Sequence, residues 1–479
     1  MMNYRMIIYT LGWILNFEAL FLVPPSICAL FYREMDGVYL LITMALCLGA
    51  GLLCLQSRPK KKRMYSREGF VIVALSWFVL SFFGALPFRF SGYIPSMVDA
   101  VFETASGFTT TGASILTDVE VLPRCLLFWR SFTHWIGGMG VLVFVIAIMP
   151  LAGGSEMYLM KAESPGPSVK KLVPKVKTTA FTLYAMYLVI TVIEFVLLLF
   201  GGMTVYEGML TAFGTAGTGG FGFLNDSMGS FSPYLQVVIG VFMVLFGINF
   251  NAYYFVYKRR WKEIWKMSEV RTYLLIIAGA VLLITVNISS LYETVGHALR
   301  DAFFQVASII TTTGFSTADF DVWPVFSKAI LVTLMFVGAC AGSTGGGIKV
   351  SRFIIMAKTI GKELDYYIHP NNVRKVKVDG KQLEHPVLRA VNVFLCAYIF
   401  VFAVSLLLIS LDNFDLETSF TAVAATLNNI GPGLAKVGPA MNYSILSPLS
   451  KIVLTFDMIA GRLELFPVLI LFSARTWKK

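Results

Sequence analysis

The chain has 479 residues, of which 57% are hydrophobic and 14% are charged, and its formal net charge is +11 at pH 7. Soluble domains carry about 25% charged residues, so this composition excludes an ordinary soluble protein. A positive net charge can indicate a nucleic-acid-binding protein, but here the basic residues lie between long apolar stretches, as they do in the cytoplasmic loops of membrane proteins. We therefore expect the chain to lie in a lipid bilayer and to bind no nucleic acid.

Residues 1–63 are predicted to form a segment of two spans. Met6–Tyr32 and Val38–Gln56 are apolar and long enough to cross a membrane. The first stretch exceeds the roughly 7–15 apolar residues of a signal peptide, and no clear cleavage site follows it, so we interpret it as an anchor. The basic cluster Arg58–Arg63 predicts a cytoplasmic loop, and the two spans before it predict a cytoplasmic N-terminus.

A three-part unit then recurs four times, in residues 64–178, 179–271, 272–385 and 386–479. The first part of each unit is an apolar span, predicted at Gly69–Phe88, Ala180–Gly202, Tyr273–Leu291 and Val387–Leu411. The second part is a half-helix too short to cross, predicted at Ser96–Phe108, Val205–Ala216, Val295–Ile310 and Leu416–Leu427. A small-residue stretch around one glycine follows each half-helix. The third part is a second span, predicted at Arg124–Leu151, Pro233–Tyr257, Phe326–Met356 and Leu446–Phe472.

The basic residues lie in the connections between these units. They occur within Lys161–Lys177, Lys258–Arg271, Lys358–Lys381 and Arg475–Lys479. Because each unit has two spans, every connection returns to the side of the first basic cluster, which predicts a cytoplasmic C-terminus as well. The sequence thus predicts an all-α polytopic membrane protein with ten spans and four half-helices.

Half-helices that meet around one axis can aim carbonyl oxygens at it. Non-helical backbone is tolerated inside a membrane only within protein or against a water-filled cavity. Rings of carbonyls replace the hydration shell of an ion in potassium channels, and glycine permits the backbone conformations that such rings need. The negative end of each half-helix dipole also favours a cation. The alternative for each stretch is an ordinary loop. We predict a pseudo-fourfold, potassium-channel-like pore of four fused span–pore helix–span repeats, with filter residues Thr110, Thr111, Gly112, Thr218, Gly219, Gly220, Thr312, Thr313, Gly314, Asn429, Ile430 and Gly431.

The whole chain resembles the Trk/Ktr/HKT superfamily of potassium transporters, and its motifs resemble the TrkH branch. These motifs are the N-terminal span pair, His134–Gly140 (HWIGGMG), Gly342–Lys349 (GSTGGGIK) and His369-Pro370. The resemblance implies a potassium-uptake channel or transporter in the bacterial inner membrane, with potassium as substrate and no organic cofactor. It also implies a homodimer that binds a cytosolic, nucleotide-binding ring of the TrkA type. A potassium symporter coupled to H+ or Na+ is the alternative on the same architecture, whereas an enzyme is not expected.

The four predicted filter stretches are not uniform. The fourth lacks threonine, and the second has Gly219 where the first and third have Thr111 and Thr313. We therefore extend the resemblance only to the central backbone positions, although the threonine hydroxyls can add oxygen ligands. Fewer ligand layers predict looser selectivity than in a uniform filter, with leakage of Rb+ or Na+.

A glycine-rich stretch, Gly338–Gly347, interrupts the predicted second span of the third unit. Each glycine costs about 1 kcal/mol relative to alanine in a helix, so we expect the helix to break there, just inward of the filter. We interpret it as a flexible gate, and the alternative is a tight helix crossing through small residues. A phosphate-binding loop is excluded because Ile348 separates the last glycine from Lys349. The predicted gate residues are Gly338, Gly342, Ser343, Thr344, Gly345, Gly346, Gly347, Lys349 and Arg462.

Arg462 lies in the predicted second span of the fourth unit. A charge inside a membrane is a functional candidate by default. Asp457 and Glu464 lie at spacings that do not face it on one helix. We predict that Arg462 projects into the pore below the filter as an electrostatic barrier near the glycine-rich stretch. The alternative is an ion pair with a carboxylate on another helix.

Three weaker features complete the sequence-based predictions. His134 is expected to be a packed, hydrogen-bonded histidine and not a metal ligand. Lys258–Val270 is predicted to include an interfacial helix because Trp261 and Trp265 share a face. Asp379-Gly380 predicts a cytoplasmic β-hairpin, which could either dock a partner or simply connect two units.

Overall fold

A computed structural model describes residues 2–59, 65–140, 176–371 and 375–478. These residues are mostly helical, as the predicted fold class requires. The N-terminal segment forms the helices Tyr4–Phe21, Val23–Tyr32 and Gly37–Leu55. Two prolines stand in the first turn of the second of these helices, where a missing backbone N–H is tolerated.

The first spans and the half-helices lie close to their predicted positions. The first spans are Ser66–Gly84 with Leu86–Ser91, Val176–Phe200, Ser268–Ile288 and His385–Ile409. The half-helices are Met97–Phe108, Val205–Gly217, Val295–Ile310 and Leu416–Asn428. The side chains of Ser96, Thr204, Thr294 and Asp415 each accept a hydrogen bond from the backbone N–H three residues on. Such N-caps explain why the half-helices begin where they do.

The second spans differ from the prediction because those described in full are interrupted. Their helices are Arg124–Gly138; Pro233–Phe246 and Phe250–Tyr257; Val325–Val337 and Val350–Ile368; and Pro448–Arg462 and Phe466–Phe472. The break in the third unit was predicted, whereas the continuous spans predicted in the second and fourth units are wrong. The part of Arg124–Leu151 that follows residue 140 lies outside the described residues.

Local residue choices explain the two unpredicted breaks. In the second unit the two helices meet at 93°, and the Asn249 side chain caps the second helix by accepting from the Asn251 N–H. In the fourth unit Leu465 has φ 67°, and Pro467 stands in the first turn of the next helix. Among the described residues, six helices are long and apolar enough to cross a membrane, or seven if the bent pair is one span. The ten-span count is therefore a prediction that length and composition only partly support.

The remaining elements are short. The predicted hairpin is confirmed as an antiparallel pair of strands, Lys377–Val378 and Lys381–Gln382. The predicted interfacial segment contains the helix Trp261–Lys266, on which Trp261 and Trp265 are 58% and 70% exposed. The other short helices are Ser289–Leu291, Phe320–Val322, Ser410–Asp412, Ala435–Val437, Tyr443–Ile445 and Ala474–Trp477.

Candidate functional site

The four glycine stretches share one backbone conformation. The central glycines all have positive φ, with values of 80° at Gly112, 76° at Gly220, 88° at Gly314 and 93° at Gly431. The residue two positions earlier also has positive φ in each copy, with values of 55° at Thr110, 53° at Thr218, 60° at Thr312 and 58° at Asn429. Positive φ is uncommon outside glycine. Its recurrence at three threonines and one asparagine therefore shows that the four stretches form the same constrained turn.

The same hydrogen bond fixes each stretch to its half-helix. The backbone N–H of the residue before each glycine donates to a half-helix carbonyl five residues earlier. The pairs are Thr111 to Ser106 at 2.9 Å, Gly219 to Gly214 at 2.9 Å, Thr313 to Ser308 at 2.8 Å and Ile430 to Ala425 at 2.9 Å. Four different sequences therefore adopt one geometry at the end of each half-helix.

The four stretches close a ring in chain order, which we call the glycine ring. A Cβ atom added to each glycine would meet the carbonyl oxygen of the residue that precedes the next glycine. The distances would be 2.0 Å from Gly112 to Gly219, 1.9 Å from Gly220 to Thr313, 2.2 Å from Gly314 to Ile430 and 2.8 Å from Gly431 to Thr111. A side chain has no room at the first three positions, so the ring requires glycine for space as well as for conformation.

A cavity of about 200 Å³ opens on one face of the glycine ring. All four ring glycines line it, together with residues that follow them in the chain and with Arg130 and Tyr443. The Tyr443 hydroxyl donates to the Gly431 carbonyl at 2.7 Å. The ring therefore borders a cavity that is lined in part by polar groups held in place by hydrogen bonds.

Most threonine hydroxyls near the ring bind protein groups. The Thr111 and Thr313 hydroxyls pair with the hydroxyls of Thr109 and Thr311, at 2.8 and 2.7 Å. The Thr312 hydroxyl accepts from the Gly346 N–H at 2.6 Å, and the Thr218 hydroxyl donates to the Gly217 carbonyl at 2.6 Å. The Thr110 hydroxyl is buried without a hydrogen-bond partner among the described residues. The feature common to all four stretches is therefore backbone and not hydroxyl oxygen.

His134 joins the first stretch to the second, as a packed histidine should. Its Nδ1 lies 2.8 Å from the Gly107 carbonyl, and its Nε2 accepts from the Phe221 N–H at 3.2 Å. These partners assign the proton to Nδ1, since a carbonyl only accepts and an N–H only donates. The imidazole is fully buried and lies against Gly219, where an added Cβ would be 2.2 Å from Nδ1. His134 therefore sets the spacing between two neighbouring parts of the ring.

A buried ion pair supports the cavity side of the ring. The Arg130 Nε donates to Glu103 at 2.7 Å, and an Arg130 NH group donates to the Gly222 carbonyl at 2.8 Å. Glu103 also accepts from the Ile115 N–H at 2.9 Å and from the Ser114 hydroxyl. Neither residue was predicted from the sequence as a site residue. A charge in a membrane segment was the available signal, and it applies to Glu103 and Arg130 as it does to Arg462.

The glycine-rich loop, residues 338–349, contacts residues that precede the ring glycines. The Gly346 N–H donates to the Thr312 hydroxyl, and the Gly347 N–H donates to the Asn428 carbonyl at 3.0 Å. Lys349 is buried, and its ammonium group donates to the Gly345 carbonyl. The loop thus lies against the half-helix ends, where the sequence predicted an interruption of the span.

Arg462 reaches the glycine-rich loop from the end of its own helix. Its guanidinium donates to the Thr344 carbonyl at 2.7 Å and to the carbonyls of Gly137 and Gly138 at 2.6 and 2.8 Å. Glu464, whose spacing was not expected to place it opposite Arg462, pairs with Arg352. Arg462 therefore connects the second spans of the first, third and fourth units. Its position near the loop agrees with the prediction, and its role as a barrier stays a prediction.

Comparisons with known proteins cover essentially the whole chain. The sequence model of the TrkH family, described as a cation transport protein, matches residues 38–479. The Trk system potassium uptake protein TrkH of Escherichia coli K12 is 37% identical, with 100% of both chains covered. The corresponding protein TrkG of the same strain is 33% identical, with 99% of both chains covered. The crystal structure of the potassium transporter TrkH from Vibrio parahaemolyticus matches with a TM-score of 0.90 and 35% identity, and it covers 100% of both chains.

Proposed function

The chain belongs to the TrkH family of cation transport proteins, and we propose that it takes up potassium across the cytoplasmic membrane through the glycine ring. The family consists of transporters and not of enzymes. The observation that carries the proposal is the closed ring, in which each glycine lies against the carbonyl that precedes the next glycine. Relatives named as potassium uptake proteins support potassium as the substrate.

The ring supplies the chemistry that a potassium filter needs. Dehydrating a monovalent cation requires several oxygen ligands, and rings of carbonyl dipoles provide them without adding a net charge. Each half-helix ends at the ring, so its negative dipole end adds to the attraction for a cation. The hydrogen bonds from the stretches to their half-helices hold these carbonyls in place. The proposed filter consists of the twelve residues predicted from the sequence. Their backbone carbonyls, and not their side chains, would select the ion.

The proposed gate is the glycine-rich loop together with Arg462. The loop contacts Thr312 and Asn428, which lie two and three residues before a ring glycine, and we propose that an ion that has passed the filter meets the loop next. Arg462 holds the Thr344 carbonyl of this loop and presents a positive charge. A fixed cation on the path repels potassium until the loop moves.

The proposed setting follows the family. We propose that the chain forms a homodimer in the bacterial inner membrane, with both termini in the cytoplasm, and that a cytosolic nucleotide-binding ring of the TrkA type regulates it. Several apolar helices among the described residues support the membrane location. The names of the relatives refer to a Trk system, which supports the presence of further components.

Ion flux in proteoliposomes that contain this chain alone tests the proposal. We expect flux of K+ and Rb+ above that of Na+, in the direction of whichever gradient is imposed. Gly112→Ser should abolish the selectivity because its Cβ would lie 2.0 Å from the Gly219 carbonyl oxygen. Gly296→Ala is the matched control, since an added Cβ there meets nothing within 4 Å. Unchanged selectivity in Gly112→Ser would contradict the filter, and flux that requires a second cation gradient would establish the symporter instead.

A further inference from the structure

We propose that Glu269 is a positioning residue for the glycine-rich loop and that the tip of the β-hairpin holds Glu269 in place. Displacing the hairpin would then release the loop. The proposal rests on the gating role proposed above, and it identifies the contacts through which an event at the hairpin reaches the gate.

Glu269 lies in the first turn of Ser268–Ile288, and its side chain is buried. One carboxylate oxygen accepts from the Ala341 N–H at 2.6 Å, and the other accepts from the Asn249 amide at 3.4 Å. A carboxylate forms stronger hydrogen bonds than a neutral acceptor does. Glu269 therefore fastens the first half of the glycine-rich loop to a helix that is remote from it in the chain.

The same half of the loop is also tied to the bend in the second unit. The Cys340 N–H donates to the Gly247 carbonyl at 3.0 Å, and the Phe250 N–H donates to the Gly342 carbonyl at 3.0 Å. Asn249, which binds Glu269, lies within this bend. The second half of the loop is tied to the half-helix ends and to Arg462 instead. The loop is therefore held from two sides, and Glu269 supplies the charged contact on the side away from the ring.

The hairpin contacts Ser268, the residue next to Glu269. Its turn residues Asp379 and Gly380 have φ values of 51° and 74°. The Asp379 carboxylate accepts from the Ser268 N–H at 2.8 Å, across 111 residues of chain. Helix N-termini carry unpaired N–H groups and a positive dipole end, so a carboxylate there acts as a cap. The hairpin tip thus fixes the end of the helix from which Glu269 projects.

A second contact joins the hairpin to the helix that follows the loop. Lys358, on Val350–Ile368, donates from its ammonium group to the Lys377 carbonyl at 2.8 Å. The hairpin therefore bridges two helices, one that holds the loop through Glu269 and one that continues the chain from the loop. A displacement of the hairpin acts on both of them, which an ordinary connection between units would not do.

Potassium flux through the full chain in proteoliposomes tests this relay with two pairs of variants. Asp379→Ala and Glu269→Ala remove an acceptor, whereas Asp379→Asn and Glu269→Gln keep an oxygen at the same place. We expect each alanine variant to raise the flux by about tenfold or more, the effect of one charge-assisted hydrogen bond, without changing the K+/Na+ ratio. A merely destabilised protein would lose flux instead. Each conservative variant keeps an acceptor but loses its charge, so its flux should lie between that of the parent and that of the alanine variant. The matched control Asp319→Ala, whose cap lies within its own short segment, should stay at the parent flux.

Amide hydrogen exchange of residues 338–349 distinguishes two claims, namely that the hairpin holds the loop in place and that the loop gates the flux. We expect faster exchange of this loop in Asp379→Ala, together with the higher flux. Unchanged exchange of the loop amides in Asp379→Ala would overturn the proposal, whether or not Glu269→Ala accelerates their exchange. Faster exchange with unchanged flux would leave the relay in place and overturn the gating role of the loop.

Discussion

The glycine ring is nearly symmetric, whereas the interrupted second spans of the second, third and fourth units all differ from one another. We call these interrupted spans the broken layer. In the ring, four unlike sequences share the same positive φ values and the same hydrogen bond to a half-helix. In the broken layer, the second unit has a 93° bend, the third has the glycine-rich loop and the fourth ends its helix at Arg462. Selection by backbone carbonyls needs near-symmetry, whereas one movable element is sufficient to close a path. The difference supports the proposal that the backbone selects the ion and that individual side chains control its path.

The strongest test of this contrast is a side chain placed in the ring. Gly220→Ala puts a Cβ 1.9 Å from the Thr313 carbonyl oxygen, at a φ of 76°. Left-handed backbone alone costs alanine about 1–2 kcal/mol, and the clash with a fixed backbone atom adds to this cost. We expect potassium flux in proteoliposomes to fall by more than about tenfold. Gly431→Ala should cost less, since its nearest contact would be 2.8 Å. Equal effects of the two variants would contradict the ring geometry.

Arg462 tests the broken layer. Arg462→Gln removes the charge and loosens the contact with the Thr344 carbonyl, so we expect potassium flux through the chain alone to rise by about tenfold or more, the effect of one charged hydrogen bond. The K+/Na+ ratio should stay the same because the ring is intact. Arg462→Lys keeps the charge and should stay closer to the parent. A changed ion ratio with unchanged flux would place Arg462 in the filter and not in the gate.

His134 lies where the two regions meet, and its effect should fall on stability. His134→Leu leaves the Phe221 N–H without its partner and removes one of the hydrogen bonds to the Gly107 carbonyl, which still accepts from the Thr110 N–H at 3.1 Å. We expect the unpaired Phe221 N–H to cost about 1–3 kcal/mol. The thermal unfolding midpoint should fall. His297→Leu removes an exposed contact with Asp301 and is the matched control, with an expected cost below about 1 kcal/mol. Equal midpoints for the two variants would contradict the bridging role of His134.

The smallest effect is expected from a threonine hydroxyl beside the ring. Thr313→Val removes a hydroxyl that pairs with Thr311 at 2.7 Å, so we expect a loss of stability of about 1 kcal/mol. The Rb+/K+ and Na+/K+ flux ratios should not change. A clear shift of either ratio would show that this hydroxyl, and not only the backbone, selects the ion.

Much of the ring was accessible from the sequence. The half-helix at Val295–Ile310 has its predicted bounds, and the other three differ by one residue at one end. The reason is local: an N-cap, a short apolar segment and a glycine that needs positive φ all lie within one stretch of chain. The central glycines Gly112, Gly220, Gly314 and Gly431 could be found because each signal recurs four times.

The interruptions of the second spans were harder to predict because the residues that cause them are scattered along the chain. Hydropathy measures length and apolar character, so Asn249 in the second unit and Pro467 in the fourth did not indicate a break. The glycine-rich loop was found only because several glycines occur together. The partners of Arg462, Glu269 and His134 come from distant parts of the chain, and no spacing in one sequence reveals them.

The proposed function requires that the glycine ring binds the transported ion through backbone carbonyls. An experimentally determined structure of this chain in Rb+, with the anomalous signal of the ion recorded, tests it most directly. We expect Rb+ on the axis of the ring, level with the Thr111, Gly219, Thr313 and Ile430 carbonyls, and its loss in Gly220→Ala. Ordered Rb+ elsewhere in the protein with none at the ring would contradict it.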